Sequence, residues 1–346
     1  MTGVVGESPA PVTAGGKRRV GVIGSFVWDV IHGRDARSVP VEEWGGITYT
    51  LAGLDAALPD DWEIVPILKV GYDLAERARE YLRTLRHIAP DAALIEVPYP
   101  GHRVELRYID DERRTEVLTG VIPGWSWLGL KALIDEARLD ALYVNFLSGW
   151  ELDLETAQLL RRHFRGPIHC DLHMMVMAVQ ADGLRTPRAI PNVAEWCGCF
   201  DFLQMNEEEM ATIAPDSLSL AATALAAGAS CLLVTLGKRG AIYVAAPGFD
   251  TICDLPPREG LATGPRGGTG ALGAVRTALV AAEFVNGSGD PTGCGDVWGA
   301  TYFSRMLSGD RLSDAMTAAG VAAARNVGHR GATGLAAHLR GEFSLS

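Results

Sequence analysis

The sequence predicts an α/β protein: a three-layer, Rossmann-like parallel sheet with helices on both faces and a small β-sheet lid outside it. Three observations carry this. Short apolar runs at residues 19–24, 62–70, 141–146, 168–172, 202–205 and 231–236 have the length and composition of strands buried on both faces. Stretches with helical periodicity separate them, through Leu74, Ala78, Tyr81, Leu82 and Leu85 over 74–88, and again over 154–164 and 218–227. Residues 103–118 break the alternation: Val104, Leu106, Tyr108, Val117 and Leu118 flank a charged turn, Asp110-Asp111-Glu112-Arg113-Arg114, in the pattern of a β-hairpin.

Residues 1–17 are rich in Gly, Pro, Ala, Thr and Ser and read as a flexible tail, so the folded domain is expected over 18–346. The first strand ends at Gly24, which places Ser25 to Asp29 at the mouth of the sheet. Residues 257–273 hold many glycines and little periodicity, the signature of a long functional loop.

The chain has 346 residues, 48% of them hydrophobic, enough for a large core. Its formal net charge of -11 repels nucleic acid and anionic membranes, so neither is expected as a partner, and an anionic ligand must be captured locally. There is no apolar run of about 18 residues and no apolar signal-peptide core, and a cytoplasmic protein is expected. Six scattered cysteines suit reduced thiols rather than a disulfide framework, and Cys197-Gly198-Cys199 lacks a second ligand pair at zinc spacing. Among the histidines, His169 and His173 around Asp171 form the one local cluster; it reads either as a metal site or as polar residues ending a strand, and we favour the second.

The most informative stretch is Gly289-Asp290-Pro291-Thr292-Gly293-Cys294-Gly295-Asp296, followed by Val297, Ala300, Phe303, Met306 and Leu307 at helical spacing. Glycines leading into a helix start leave unpaired N–H groups that, with the helix dipole, suit a phosphate or a developing anion. Asp296 in the first turn is placed to take a proton from a hydroxyl while those N–H groups stabilise the transferred phosphoryl. The residues alone equally allow an ordinary first-turn acid favoured by the dipole.

Residues 290–296 resemble the D-T-T-G-A-G-D signature of the ribokinase-like (PfkB) kinases of sugars and nucleosides, departing at Pro291 and Cys294. The resemblance implies Asp296 as catalytic base, with Gly293, Cys294 and Gly295 as the anion hole and Thr292 on the ATP side. Gly24 to Asp29 is similar to the family's first-strand segment, which assigns Asp29 to substrate hydroxyls. Gly45-Gly46 resembles the substrate-side glycine pair, with Thr50 standing where many sugar kinases have Asn. Asn206-Glu207-Glu208-Glu209 looks like the N-x-x-E motif, implying Asn206 near the phosphates and Glu209 near Mg²⁺ through water. Thr235-Leu236-Gly237-Lys238-Arg239-Gly240 is similar to the T-x-G-x-x-G nucleotide turn, which puts Thr235, Gly237 and Gly240 on ATP, and 326–332 resembles the adenine-side segment, adding Asn326 and Gly331.

These matches fall in family order over roughly 18–336, so each supports the others. They imply lid segments near 33–47 and 100–120, ATP and Mg²⁺ as cofactors, and K⁺ beside Asp290 in the manner of those relatives that use a monovalent cation; the oligomeric state is left open, with the exposed lid edge as a surface that could pair across a homodimer. The expected activity is γ-phosphate transfer to a hydroxyl of a small sugar-like substrate. The alternatives are a nucleoside kinase of the same fold and a non-catalytic nucleotide or metabolite sensor. A nicotinamide oxidoreductase has little support, because Gly24-Ser25-Phe26-Val27 is not G-x-G-x-x-G.

Overall fold

The computed structural model describes residues 16–32, 39–108, 114–256, 274–282 and 289–342. The expectations for the tail over 1–15, the start of the first lid segment at 33–38, the turn at 109–113 and the glycine-rich 257–273 lie outside the described residues.

The first half contains β1 (Arg18–His32), β2 (Val41–Gly46), α1 (Ile47–Ala57), β3 (Trp62–Gly71), α2 (Ala75–Leu82), β4 (Ile95–Val97), β5 (His102–Tyr108), β6 (Arg114–Thr119), α3 (Trp127–Ala137), β7 (Ala141–Asn145), α4 (Leu154–His163) and β8 (Ile168–Asp171). A 3-10 turn at His173–Val176 leads to β9 (Met177–Val179), β10 (Arg185–Pro187), α5 (Val193–Cys197), β11 (Phe202–Asn206), α6 (Glu207–Ile213), α7 (Ser217–Ala227) and β12 (Cys231–Thr235). A second 3-10 turn at Gly237–Arg239 precedes β13 (Ala241–Ala245), β14 (Arg276–Val280), α8 (Cys294–Leu307), α9 (Leu312–Asn326) and α10 (Leu335–Leu339).

The main sheet runs β14-β13-β12-β11-β8-β7-β1-β3-β4, parallel from β12 to β4, with β13 and β14 antiparallel at one edge. Its strands alternate in what they bury, as the pleat requires. Tyr143 and Phe202 pack with Phe303 and Met306 of α8, whereas Leu142, Val144 and Leu203 pack on the opposite face with Leu130 of α3 and Leu160 of α4. Each such fully buried side chain contributes about 1.5–3 kcal/mol. Caps fix the helix starts: Asp153 accepts from Thr156 N, and Asp216 from Ser219 N. No single helix among the described residues is long and apolar enough to cross a membrane.

Two expectations change. Ser25 to Asp29 do not turn away at the sheet mouth; β1 continues to His32, and from Phe26 onward it pairs antiparallel with β2 and, from Val27, parallel with β5. Two new neighbours take up the backbone groups that the main sheet leaves behind, so staying extended leaves little unpaired. The helix expected over 74–88 ends at Leu82, because the Asp55 carboxylate captures the N–H groups of Arg86 and His87 at 2.6 and 2.8 Å.

The distal half of β1, with β2, β5 and β6, therefore forms a small sheet beside the main one. One face is apolar, with Trp28 and Trp44 edge to face at 5.0 Å and the Arg77 guanidinium over Trp28. Asp29, Glu43 and Gly45 share the other face, since Asp29 pairs with Glu43 and Val27 with Gly45. The β9–β10 hairpin straps this sheet to the body, through Leu118 N to Gly183 O at 2.9 Å and an Arg185–Glu116 ion pair.

Candidate active site

The parallel strands end on one edge with polar residues where the preceding ones were apolar. Asn145 on β7 registers with Asp171 on β8, Asp171 with Gln204 on β11, and Asn206 with Thr235 on β12. The carboxyl ends of such strands are where open α/β sheets bind ligands.

Above this edge stands the start of α8. Gly293 caps it at φ 74, and a side chain there would strike the Tyr49 ring at 2.1 Å, so glycine is required on two counts. A Cβ added at Gly295 would meet nothing within 4 Å, which leaves the turn open on that side. Among the described residues, no backbone acceptor takes the N–H of Gly295 or Asp296. The turn is braced from behind: Thr292 N donates to Asp290 Oδ1, and Asp290 N to Val327 O. Buried Asn326 donates through Nδ2 to Thr292 O at 2.8 Å and to Cys294 Sγ at 3.3 Å.

Asp296 is 8% exposed. Its Oδ1 accepts from Asn145 Nδ2 at 2.6 Å and from Thr50 Oγ1 at 3.3 Å, and the same Asn145 amide donates to Thr50 Oγ1. Burial pushes its pKa above the usual carboxylate value; His173 nearby and the bonds from Asn145 and Thr50 pull the other way without cancelling it. The result is a desolvated carboxylate of raised proton affinity.

On the small-sheet side, Asp29 lies so close over Gly45 that a Cβ there would sit 1.9 Å from Oδ2. Gly46 caps α1, the helix that delivers Tyr49 and Thr50. Tyr49 is buried and lies in the combined field of Glu43, Asp290, Asp29 and Asp296, which with burial raises its pKa. Glu43 carries a buried Oε1 with no hydrogen-bond partner among the described residues, and burial raises its pKa as well. Gly331 lies beside Glu43: a Cβ added there would sit 2.5 Å from Oε2.

On the other side, Asn206 and Glu209 form a reciprocal capping box on α6, Glu209 N to Asn206 Oδ1 and Asn206 N to Glu209 Oε2, both at 2.8 Å. Thr235 ends the neighbouring strand, and Gly237 and Gly240 bracket the 3-10 turn that follows, with Leu236 N donating to Gly240 O. His173 Nδ1 lies 3.2 Å from Glu209 Oε1. Burial by itself would lower the His173 pKa, but the bond to Glu209 and the charges of Glu209, Asp296 and Asp171 raise it to about 10.

Thus Asp296, Thr50, Gly293 and Gly295 meet directly, and Asn326 and Thr292 support their turn from beneath. Asn145, Tyr49 and Gln204 were missed by sequence reading. Gln204 Nε2 donates both to Asp171 Oδ2 and to Gly295 O at 2.9 Å, linking the strand edge to the turn. For Asn145 the available signal was a polar residue ending a buried strand. The His169/Asp171/His173 cluster splits: His169 is buried between Tyr143 and Phe303 and is bonded to Gln204, and burial lowers its pKa to about 3.

No protein-family model matches the chain, and no curated protein matches its sequence. Solved structures do. A pyrophosphate-dependent kinase in the ribokinase family, complexed with a pyrophosphate analog and myo-inositol, superposes with a TM-score of 0.66 at 15% identity, over 90% of this chain and 96% of that one. The Burkholderia thailandensis nucleoside kinase with inosine gives 0.63 at 14% identity, over 92% and 94%. The Arabidopsis thaliana ribokinase with ribose and ATP gives 0.60 at 14%, over 95% and 100%. The chain therefore has the ribokinase-like fold, a parallel α/β sheet with a small accessory sheet.

Proposed function

We propose that this chain is a PfkB-type small-molecule kinase that transfers the γ-phosphate of ATP to a hydroxyl of a small sugar-like substrate. The observation that carries this is Asp296: a buried carboxylate of raised pKa, fixed by Asn145 and Thr50, in the same turn as N–H groups that no backbone acceptor among the described residues uses. A hydroxyl beside it gives up its proton to Asp296 while the Gly293–Asp296 turn stabilises the phosphoryl oxygens. Asp29, opposite on the small sheet, anchors the remaining hydroxyls against Gly45 and Gly46. The small sheet acts as a lid that excludes water from the phosphoryl group.

Asn206, Thr235, Gly237 and Gly240 lie along the donor side, with Thr292 at the turn. The oxygen-rich ends of β8 and α6 suit a divalent ion, which Glu209 approaches through water; Mg²⁺ there neutralises charge on the phosphates. Asp290 is the residue for a monovalent cation such as K⁺, and the lid edge is the surface for a homodimer. A soluble cytoplasmic enzyme fits this chemistry.

The structural neighbours bind myo-inositol, inosine and ribose, so nucleosides form the second acceptor class. The test is a panel of polyols, sugars and nucleosides with ATP or pyrophosphate as donor, read as new phosphate monoester. A product with one acceptor class supports the reading. Tight ATP binding with no ester from any acceptor identifies a sensor instead.

A further inference from the structure

The end of β8, the 3-10 turn after it and the first turn of α6 converge on one spot. One ligand atom each from Asp171, His173 and Glu209 lies within 4.8 Å of the others. An ion about 2.0–2.3 Å from each needs only small side-chain rotations to be held by all three. Asp171 and Glu209 are buried, whereas the His173 side chain is 30% exposed, which leaves one side open to solvent or to a further ligand.

The two carboxylates are already oriented. Gln204 donates to Asp171 Oδ2, and Asn206 donates to both Glu209 oxygens, at 2.8 Å to Oε2 and 2.7 Å to Oε1. Such outer partners aim carboxylates at metals while leaving lone pairs for the ion. The backbone of His173 sits at φ 32, a region residues other than glycine rarely enter, and that conformation turns the imidazole towards Glu209. Gln204 also donates to Gly295 O, so the cluster adjoins the turn assigned to the phosphoryl group.

We propose that Asp171, His173 and Glu209 form an inner-sphere site for a divalent transition ion of the Mn²⁺ type, beside the Gly293–Asp296 turn. The assignment rests on the kinase reading only for its purpose, since it places the ion where a bound phosphate completes the shell. Its chemistry differs from that of a Mg²⁺ approached by Glu209 through water. Mg²⁺ prefers oxygen and keeps its waters, whereas Mn²⁺ takes the two carboxylates as readily and accepts an imidazole nitrogen beside them. On binding, the imidazole proton leaves to solvent and the freed nitrogen lone pair forms the bond to the metal.

The experiment adds Mn²⁺ alone to the full chain, without nucleotide or acceptor, and reads it by titration calorimetry and pulsed electron paramagnetic resonance. One bound Mn²⁺ with nitrogen modulation from an imidazole is expected. His173→Asn, which tolerates the same backbone conformation, should abolish that modulation and weaken Mn²⁺ binding on the order of 10-fold or more, with Mg²⁺ affinity unchanged. Absence of Mn²⁺ binding, binding without nitrogen modulation, or a folded His173→Asn chain that binds Mn²⁺ like the parent overturns the site. Should that variant misfold, the modulation in the parent chain decides. Ester formation with Mg²⁺, measured in parallel, judges the kinase reading separately.

Discussion

Two buried aspartates face opposite fates in this fold, and helix α1 serves both. Asp55, on α1 itself, is fully buried and is bonded by Arg86 N, His87 N and Arg340 Nη1, with His87 Nδ1 at 3.3 Å. Burial would raise its pKa, but the bonds from His87 and Arg340 outweigh that and hold it below the usual carboxylate value. Asp296 is nearly as buried, yet Thr50 of α1 and Asn145 give it only neutral donors, and its pKa rises. A carboxylate saturated with donors and a cation is a staple. One buried with fewer donors keeps a raised proton affinity.

The largest effect expected from breaking this contrast is at the staple. Asp55→Asn leaves Arg340 facing a neutral partner and should cost about 3–5 kcal/mol, read by denaturant unfolding. The pH sign follows from the depressed pKa: the Asp55 contribution is present above its unfolded value near 3.8 and is lost as pH falls through the lower folded value. Acid unfolding of the parent should therefore include this transition, and the variant should lack it.

Smaller effects are expected from the donors and the charge of Asp296. Asn145→Ala removes the 2.6 Å donor to Asp296 and should lower kcat by about 10-fold. Because that donor lowers the Asp296 pKa, its loss should also move the acid limb of the pH–rate profile to higher pH, a shift that a merely structural role for Asn145 would not produce. In the parent, kcat should fall with acid around a midpoint above 3.8, since a protonated Asp296 accepts nothing. The smallest effect is on stability: a raised pKa means that ionised Asp296 costs stability at neutral pH, so Asp296→Asn should raise the thermal midpoint by about 1–3 °C.

The two aspartates also show what the sequence holds and what it withholds. Asp296 was legible because its turn, its glycines and its helix are contiguous, and because Asp29, Asn206 and Thr235 stand on strands in a recognisable order. The parallel sheet was legible for the same local reason: each buried run carries its own period. Asp55 was not legible, since its partners lie at 86, 87 and 340 and no local pattern pairs them. Asn145 and Gln204 were hidden likewise, as single polar residues whose roles arise only when neighbouring strands align. The metal cluster was half visible. Sequence proximity grouped His169 with Asp171 and His173, and folding turned His169 into the aromatic core and brought Glu209 in its place.

In the proposed reaction, Asp296 takes the proton from the acceptor hydroxyl. The most direct measurement compares the parent and Asp296→Asn chains, both folded and both binding ATP, by the rate of phosphate ester formation on whichever acceptor the parent turns over. A loss of roughly 10³-fold in kcat is expected, with ATP affinity little changed. A folded, ATP-binding Asp296→Asn chain that keeps the parent's turnover would contradict it.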